Sequence, residues 1–220
     1  MDSLYRSLPK QYVEALLNGD ILFRNLVYFR MIEGDPRTDI HEGWHVDRPK
    51  HPVQIEIVGT TRIIEGDFAF HNNIMHPERI FCFCTSMKHD PSHSKFGDAC
   101  IEILNPVLLT KRLRTALLRR GRLTRLADPV LLARPVSYYR VDEEAPAEIN
   151  MKDPRDIPFA KRESYSDECE FRFVFARRGG YELLQQLVTA DGGAVDMAGK
   201  PQSEMLIKIG SIRDIAREII

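Results

Sequence analysis

The sequence lacks the features that mark exported and membrane-spanning chains. Its first residues, MDSLYRSLPK, include no apolar core of a signal peptide, and no apolar run approaches the roughly 20 residues of a membrane helix. Only four cysteines occur, and no second CxC or CxxC pair stands beside Cys82 and Cys84 to complete a zinc site. We therefore expect a cytoplasmic protein with reduced, mainly buried cysteines and no membrane partner, and we favour no metal.

An excess of charge of one sign is also missing. Lys and Arg total 31 and Asp and Glu total 32, so the formal net charge is −1, which excludes a globally basic nucleic-acid-binding protein. The absence of GxGxxG, P-loop and GxSxG motifs argues against Rossmann, NTPase and α/β-hydrolase domains. With 43% hydrophobic and 29% charged residues, the 220 positions have the composition of one globular domain with a real core.

Short apolar runs predict about seven strands and four helices, without regular βαβ alternation. Strands are expected at LYRS (4–7), 21–29, 53–59, 79–86, 99–104, 137–141, 169–177 and EMLIKIG (204–210). Helices are expected at 10–18 (ended by Gly19), after Asn105-Pro106 up to Gly121, at 181–188 and at 211–220. The pattern indicates an α+β fold: a single domain over 1–220, with a mostly antiparallel, split or sandwiched sheet and flanking helices. A long loop over 33–52 and a linker-like stretch over 145–158 complete it.

The segment HEGWH (41–45) matches the HExxH string of zinc proteases. Pro36, Gly43 and Pro49 argue against the helix that this motif requires, and no third ligand stands out. The acids of this loop match no EF-hand spacing. They are either ligands of a divalent cation or partners of Arg37; they are Glu33, Asp35, Asp39 and Glu42.

An arginine-rich helix over 106–125 carries no acid. It suits phosphate binding along RNA or DNA, and equally a solvated face paired with acids elsewhere in the protein. The candidate nucleic-acid residues are Arg112, Arg114, Arg119, Arg120 and Arg122, with Lys111 and Arg125 in the same segment.

Carboxylates gather at the start of the clearest strand, CEFRFVFAR (169–177). Alternation places Glu168, Glu170 and Arg172 on one face and the phenylalanines on the other. That polar face is either solvent-exposed surface or the floor of a cleft. In a cleft, paired glutamates suit general-base work or the stabilisation of developing positive charge.

The order of several short motifs resembles a widespread, poorly characterised bacterial family that is loosely similar to AbiGi-type abortive-infection proteins. The motifs are LYRS, GDILFRNLVYFRMIEGDPRTDIHEG, FCTS, GDACIEI, SYYRV, YSDECEFRF and LIKIG. This resemblance spans most of the chain and implies a role in phage defence or as a toxin.

A more remote resemblance is to the ADP-ribosyltransferase superfamily, whose split β-sandwich uses a basic residue on the first strand, a Ser/Thr or aromatic residue on a middle strand and a late ExE glutamate. By this resemblance Arg6 holds NAD, and Glu168 and Glu170 are catalytic, with Glu170 binding the ribose hydroxyl and supporting an oxocarbenium-like centre. The cofactor-binding assignments are Arg24, Asn25, Tyr28 (stacked on nicotinamide), Thr85 and Ser86.

Three functions stay open from the sequence. The first is an NAD-consuming ADP-ribosyltransferase with a protein or nucleic-acid acceptor. The second is a nucleic-acid-binding protein or nuclease that uses the 106–125 helix, with the acids of 33–42 on a metal. The third is a non-catalytic partner or antitoxin-like protein.

Overall fold

Short strands dominate the architecture, and helices stand singly between them. The structure is a computed structural model that describes residues 2–31, 42–47, 53–57, 60–64, 68–124, 126–140, 148–150, 152–189 and 201–219. The strands are β1 (Leu4–Leu8), β2 (Asp20–Asn25), β3 (Trp44–Asp47), β4 (Val53–Ile57), β5 (Thr60–Ile64), β6 (Phe68–Ile74), β7 (Ile80–Ser86), β8 (Ala99–Ile103), β9 (Leu132–Pro135), β10 (Ser137–Tyr139), β11 (Ala160–Arg162), β12 (Glu170–Ala176), β13 (Leu183–Thr189), β14 (Glu204–Lys208) and β15 (Ala216–Ile219). The α-helices are α1 (Val13–Leu17), α2 (Leu26–Met31) and α3 (Pro106–Thr124). The α+β class predicted from the sequence is confirmed.

An eight-stranded antiparallel sheet forms the centre, and β7 is its most connected strand. The sheet follows the order β14-β2-β7-β1-β8-β15, with β12 paired to β7 and β9 paired to β12. One edge of β7 pairs with β12 over seven residues. Its other edge is divided: Ser86 pairs with Tyr5 of β1, whereas Cys82 pairs with Arg24 of β2. The predicted split sheet is therefore present, and the split lies between β1 and β2.

The main core lies on one face of this sheet, because alternation sends every second side chain of β12 and β7 to the same side. The phenylalanines of the two strands pack there: Phe81, Phe83, Phe171, Phe173 and Phe175. Helix α3 covers them with Leu109, Leu113 and Leu117, all fully buried. The opposite face of β7 and β12 is thereby left for Cys84, Ser86, Glu170 and Arg172.

Three smaller sheets flank the central one. They have the order β13-β6-β3, the antiparallel pair β4-β5 and the parallel pair β10-β11. The predicted helix at 181–188 is wrong, because this segment forms β13 and pairs residue by residue with β6. The predicted helix at 211–220 is also wrong, because Ala216–Ile219 forms β15 at the edge of the central sheet, beside β8.

Several predicted boundaries differ from the structure. The extended run at 21–29 ends at Asn25, whose side-chain oxygen accepts the Tyr28 N–H at 3.1 Å and begins α2. Helix α3 starts at the expected Asn105-Pro106, where Asn105 accepts the Leu108 N–H at 3.0 Å, but it continues past Gly121 to Thr124. Of the expected loop 33–52, residues 42–47 are described, and 44–47 form β3.

The described part of the 145–158 stretch is packed rather than linker-like, since Ile149 and Ile157 are buried. None of the described helices is both long and apolar enough to cross a membrane.

Candidate active site

Two adjoining cavities open where the sheet is split. The smaller, the inner chamber, has a volume of about 60 Å³ and lies over the polar face of β7 and β12. Its lining includes Tyr5, Arg6, Cys84, Thr85, Ser86, His93, Phe96, Lys161, Glu168, Glu170 and Arg172. The larger, the outer cleft, has a volume of about 550 Å³ and lies between β1 and β2. Arg6, Phe29 and Cys84 line both, so the two cavities are neighbours.

Register explains why distant segments meet in the inner chamber. Ser86 lies directly opposite Glu170 on β12 and opposite Tyr5 on β1. Residues that face each other across antiparallel strands project to the same side of the sheet. The late-strand Glu170, Ser86 of the middle strand and Tyr5 of the first strand therefore project to the same side of the sheet, and Arg6, next to Tyr5, also lines the chamber.

Arg172 carries the chamber's buried charge network and is 1% exposed. Its Nε and one terminal nitrogen donate to the two carboxylate oxygens of Glu170, each at 2.9 Å. Its terminal nitrogens also donate to both carboxylate oxygens of Glu42, one of them at 2.8 Å, and to the Pro158 carbonyl oxygen. One buried guanidinium thus binds two carboxylates with paired hydrogen bonds, a geometry that fixes both of them.

Lys161 forms the second ion pair of the chamber. Its ammonium lies 2.7 Å from Glu168 and 3.5 Å from Glu170, although its side chain is only 4% exposed. The predicted position of Glu168 on the strand beside Glu170 is wrong, since Glu168 ends a 3₁₀ turn over 163–168. Cys169 follows with a left-handed φ of 43° and reverses the chain, so that both carboxylates still reach Lys161.

The pKa values of the two glutamates are shifted in opposite directions. Burial alone would raise the pKa of Glu170, but Arg172 and Lys161 outweigh it and hold this pKa at about 2. For Glu168, burial dominates over the attraction of Lys161 and raises the pKa above its ordinary value. Glu170 is therefore a fixed anion at neutral pH, whereas Glu168 is the better proton acceptor of the pair.

The polar face of β12 is consequently the floor of a cavity, and solvent-exposed surface is excluded as its role. Glu170 and Arg172 are 5% and 1% exposed. The chamber's wall comes from Arg6 of β1, whose guanidinium donates to the Cys84 carbonyl oxygen at 2.7 Å and lies over the Phe83 ring. Arg6 thus reaches across the split, between the chamber and the outer cleft.

Arg24 and Tyr28 lie together in the outer cleft. The Arg24 guanidinium is 4.1 Å from the centre of the Tyr28 ring and 2.8 Å from Glu204 of β14. Both side chains line the cavity, together with the exposed ring of Tyr12. An arginine stacked on an aromatic ring at a cavity wall suits a ligand that combines a phosphate group with a planar ring.

Three other residues assigned by the resemblance make structural hydrogen bonds in this chain. The Asn25 side chain is fully buried and lines neither cavity; it donates to the Pro201 carbonyl oxygen at 2.9 Å and caps α2, so its cofactor role is wrong. Thr85 lines the chamber, but its hydroxyl donates to the Phe171 carbonyl oxygen at 3.0 Å and joins β7 to β12. Ser86 lines the chamber and donates to the Lys88 carbonyl oxygen at 2.9 Å, which holds the turn after β7.

The HExxH segment does not form a metal site within the described residues. Gly43 has a positive φ of 70° and residues 44–47 form β3, so the required helix is absent at 42–47. Both carboxylate oxygens of Glu42 bind Arg172, which removes this residue from the proposed acid–metal cluster. His41, Arg37 and the other acids of that loop lie outside the described residues. No cluster of three or more potential metal ligands occurs in the described part of the chain.

The arginine-rich helix lies away from both cavities, on the core side of the sheet. Arg112 pairs with Asp214 at 2.9 Å, as the solvated-face alternative predicts, and Arg120 donates to the Leu206 carbonyl oxygen. Arg114 and Arg119 are exposed, and the side chain of Arg122 lies outside the described residues.

Sequence reasoning missed two members of the site. Lys161 comes from a segment without a recognisable motif, and Glu42 reaches Arg172 across 130 positions of sequence. The sequence carries no local signal for either residue, because the burial of Glu42 is visible only in the structure.

No protein-family model, curated protein or solved structure matches this chain.

Proposed function

We propose that this protein is an NAD-dependent ADP-ribosyltransferase-like enzyme that modifies a protein or nucleic-acid acceptor. The observation that supports it most is the convergence of Arg6, Ser86 and Glu170 in one chamber beside the outer cleft. These residues come from three separate segments, and a purely structural ion pair between Arg172 and Glu170 does not require Arg6 or an adjoining ligand-sized cavity.

The outer cleft fits a dinucleotide in size and chemistry. Its volume of about 550 Å³ falls within the range of small-molecule sites. Arg6 and Arg24 supply positive charge for a pyrophosphate, and Tyr28 supplies a ring on which a planar base can stack.

The transfer reaction suits two carboxylates whose pKa values are shifted in opposite directions. The bond between nicotinamide and the ribose C1′ breaks, nicotinamide leaves with the electron pair, and the acceptor forms a bond to C1′ while losing its proton. The ionised Glu170 stabilises the positive charge that develops on the ribose. Glu168, with its raised pKa, accepts the proton of the acceptor.

The test is release of nicotinamide from NAD in the presence of a cell lysate that supplies acceptors. Glu170→Gln is expected to lower the rate by about 100-fold or more, in line with the loss of one transition-state contact. Glu163→Gln is the matched control, because Glu163 is an exposed glutamate of the same segment, and it should retain the wild-type rate.

Because Glu170 is buried, thermal unfolding of each variant must show a folded protein before the rates are compared. Titration of NAD against Tyr28→Ala provides a test that leaves the charge network intact, and we expect weaker binding. Nicotinamide release that is equal in wild type and folded Glu170→Gln, or no NAD binding by the wild type, would overturn the proposal.

The resemblance to AbiGi-type proteins extends the proposal to a bacterial role in phage defence or as a toxin. In that role the acceptor is a component of the infected or target cell, and a partner protein of the antitoxin kind would cover the outer cleft.

A further inference from the structure

A second open cavity, the cationic groove, lies between α3 and β14, away from the candidate active site. Its volume is about 780 Å³. The rim is basic and consists of Lys111, Arg112, Arg119, Arg120 and Lys208, and the floor is apolar and consists of Leu108, Ala116, Ile207 and Ile209.

The positive charge of the molecule is concentrated along this groove. Helix α3 carries six basic residues and no acid, whereas the formal net charge of the whole chain is −1. The remainder of the chain therefore carries a formal net charge of −7. Such a separation of charge produces a local positive field on a protein that is acidic elsewhere.

Part of the rim is neutralised by acids of the protein itself. Arg112 pairs with Asp214, and Lys208 pairs with Asp20 at 3.2 Å. In the parts of the chain that the structure describes, no acid forms an ion pair with Lys111 or Arg119, and both side chains are exposed. These two cations remain available to a ligand.

We infer that the cationic groove binds the backbone of a single-stranded nucleic acid. Lys111 and Arg119 are eight residues apart on α3, roughly 12 Å along the helix axis, a separation that lets them contact different phosphates of one strand. The half-buried side chains of Leu108, Ala116 and Ile209 give the floor an apolar surface that unstacked bases can contact, whereas a duplex keeps its bases inside. Strand β14 separates the groove from the outer cleft, since Ile207 lines the first and Leu206 the second.

A nucleic acid in this groove would lie one strand away from the proposed NAD site. Its identification as the acceptor of ADP-ribose rests on the proposed function, but its binding does not. Binding is therefore measured directly, without NAD, so that its failure is distinguishable from a failure of the enzyme activity.

The experiment is fluorescence anisotropy of the full chain with a labelled oligouridine of about 20 nucleotides. With the two available cations each neutralising one phosphate, the slope of log K against log salt is expected to be about −1 to −2. Arg119→Glu should weaken binding at least 10-fold. Arg114→Glu is the matched control, because it makes the same charge change on the same helix at an exposed residue outside the groove, and it should weaken binding clearly less.

The two variants also distinguish binding in the cationic groove from attraction by the overall positive charge of α3. Equal weakening by Arg119→Glu and Arg114→Glu would overturn the inference, as would salt-independent binding or no binding at low salt. Tighter binding of a duplex of the same length would overturn the assignment to a single strand. Because both arginines are exposed, both variants are expected to fold, which circular dichroism verifies.

Discussion

At the scale of single residues, the candidate site depends on how Arg172 is neutralised. Five ionisable side chains form its network: Glu42, Lys161, Glu168, Glu170 and Arg172. Three acids and two bases leave a net charge of −1 when all are ionised. The raised pKa of Glu168 relieves this excess by making its neutral form more accessible.

Removal of Glu42 should destabilise the protein strongly. Glu42→Ala leaves the buried Arg172 with one carboxylate instead of two, and the loss of one partner of a buried ion pair costs about 3–5 kcal/mol. Urea denaturation measures the free energy of unfolding. Arg213→Ala breaks the exposed Arg213–Glu14 pair and serves as the control, with an expected loss below about 1 kcal/mol. Equal losses in the two variants would show that Glu42 is not needed to neutralise Arg172.

At the scale of elements, the turn after α1 fixes where the chain following β14 can lie. Gly19 has a φ of +85° and donates its N–H to the Leu16 carbonyl oxygen, which ends the helix as the sequence predicts. Its own carbonyl oxygen accepts the Ile209 N–H at 3.0 Å. A Cβ at Gly19 would overlap the main chain of Gly210, so these two backbones approach each other closely only because residue 19 is glycine.

Two alanine variants separate backbone strain from this close approach. Gly210 has a φ of +76° but open space where a Cβ would lie, so Gly210→Ala should cost only the left-handed strain, about 1–2 kcal/mol. Gly19→Ala adds the overlap with the Gly210 carbonyl group and should cost at least about twice as much. Chemical denaturation of both variants measures the loss in the free energy of unfolding. Similar losses would show that the chain after β14 moves to accommodate the added methyl group at little energetic cost.

The elements that sequence reasoning predicted correctly are those with a clear local signal. Strand β12 alternates aromatic and polar residues, and α3 begins with an Asn-Pro cap; both are confirmed. The segments 181–188 and 211–220 have apolar residues at helical spacing, yet they form β13 and β15 because β6 and β8 offer open edges to pair with. Pairing with a distant strand overrides a local preference, and no local pattern reports it.

At the scale of the whole molecule, the split of the central sheet brings the site together. Arg6, Ser86 and Glu170 were proposed from the remote resemblance to ADP-ribosyltransferases, and all three line one chamber. Their partners Glu42 and Lys161 come from elements whose position depends on the complete fold. The opposite pKa shifts of Glu168 and Glu170 depend on burial and on these partners, and therefore could not be predicted from the sequence.

The pH dependence of stability should include a large contribution from His45, a histidine of the flanking sheet. His45 of β3 is 2% exposed, its ring centre lies 4.7 Å from that of Tyr139, and its Nδ1 has no hydrogen-bond partner among the described residues. Burial lowers its pKa from about 6.5 to about 4, so the folded protein holds the neutral ring while the unfolded chain takes up a proton below about pH 6.5. Stability is therefore complete above that pH and decreases as the pH falls towards 4.

Between about pH 7.5 and pH 5, the free energy of unfolding should fall by about 2 kcal/mol through this residue. Glu170 does not contribute in this range, because its stabilisation is lost only as the pH falls below its ordinary pKa of 4.5 towards 2. His45→Phe keeps an aromatic ring against Tyr139 and should abolish most of this dependence, whereas the exposed His89→Asn should preserve it. Urea denaturation at both pH values measures the difference, and an unchanged pH dependence in His45→Phe would show that the folded protein protonates His45 as readily as the unfolded chain.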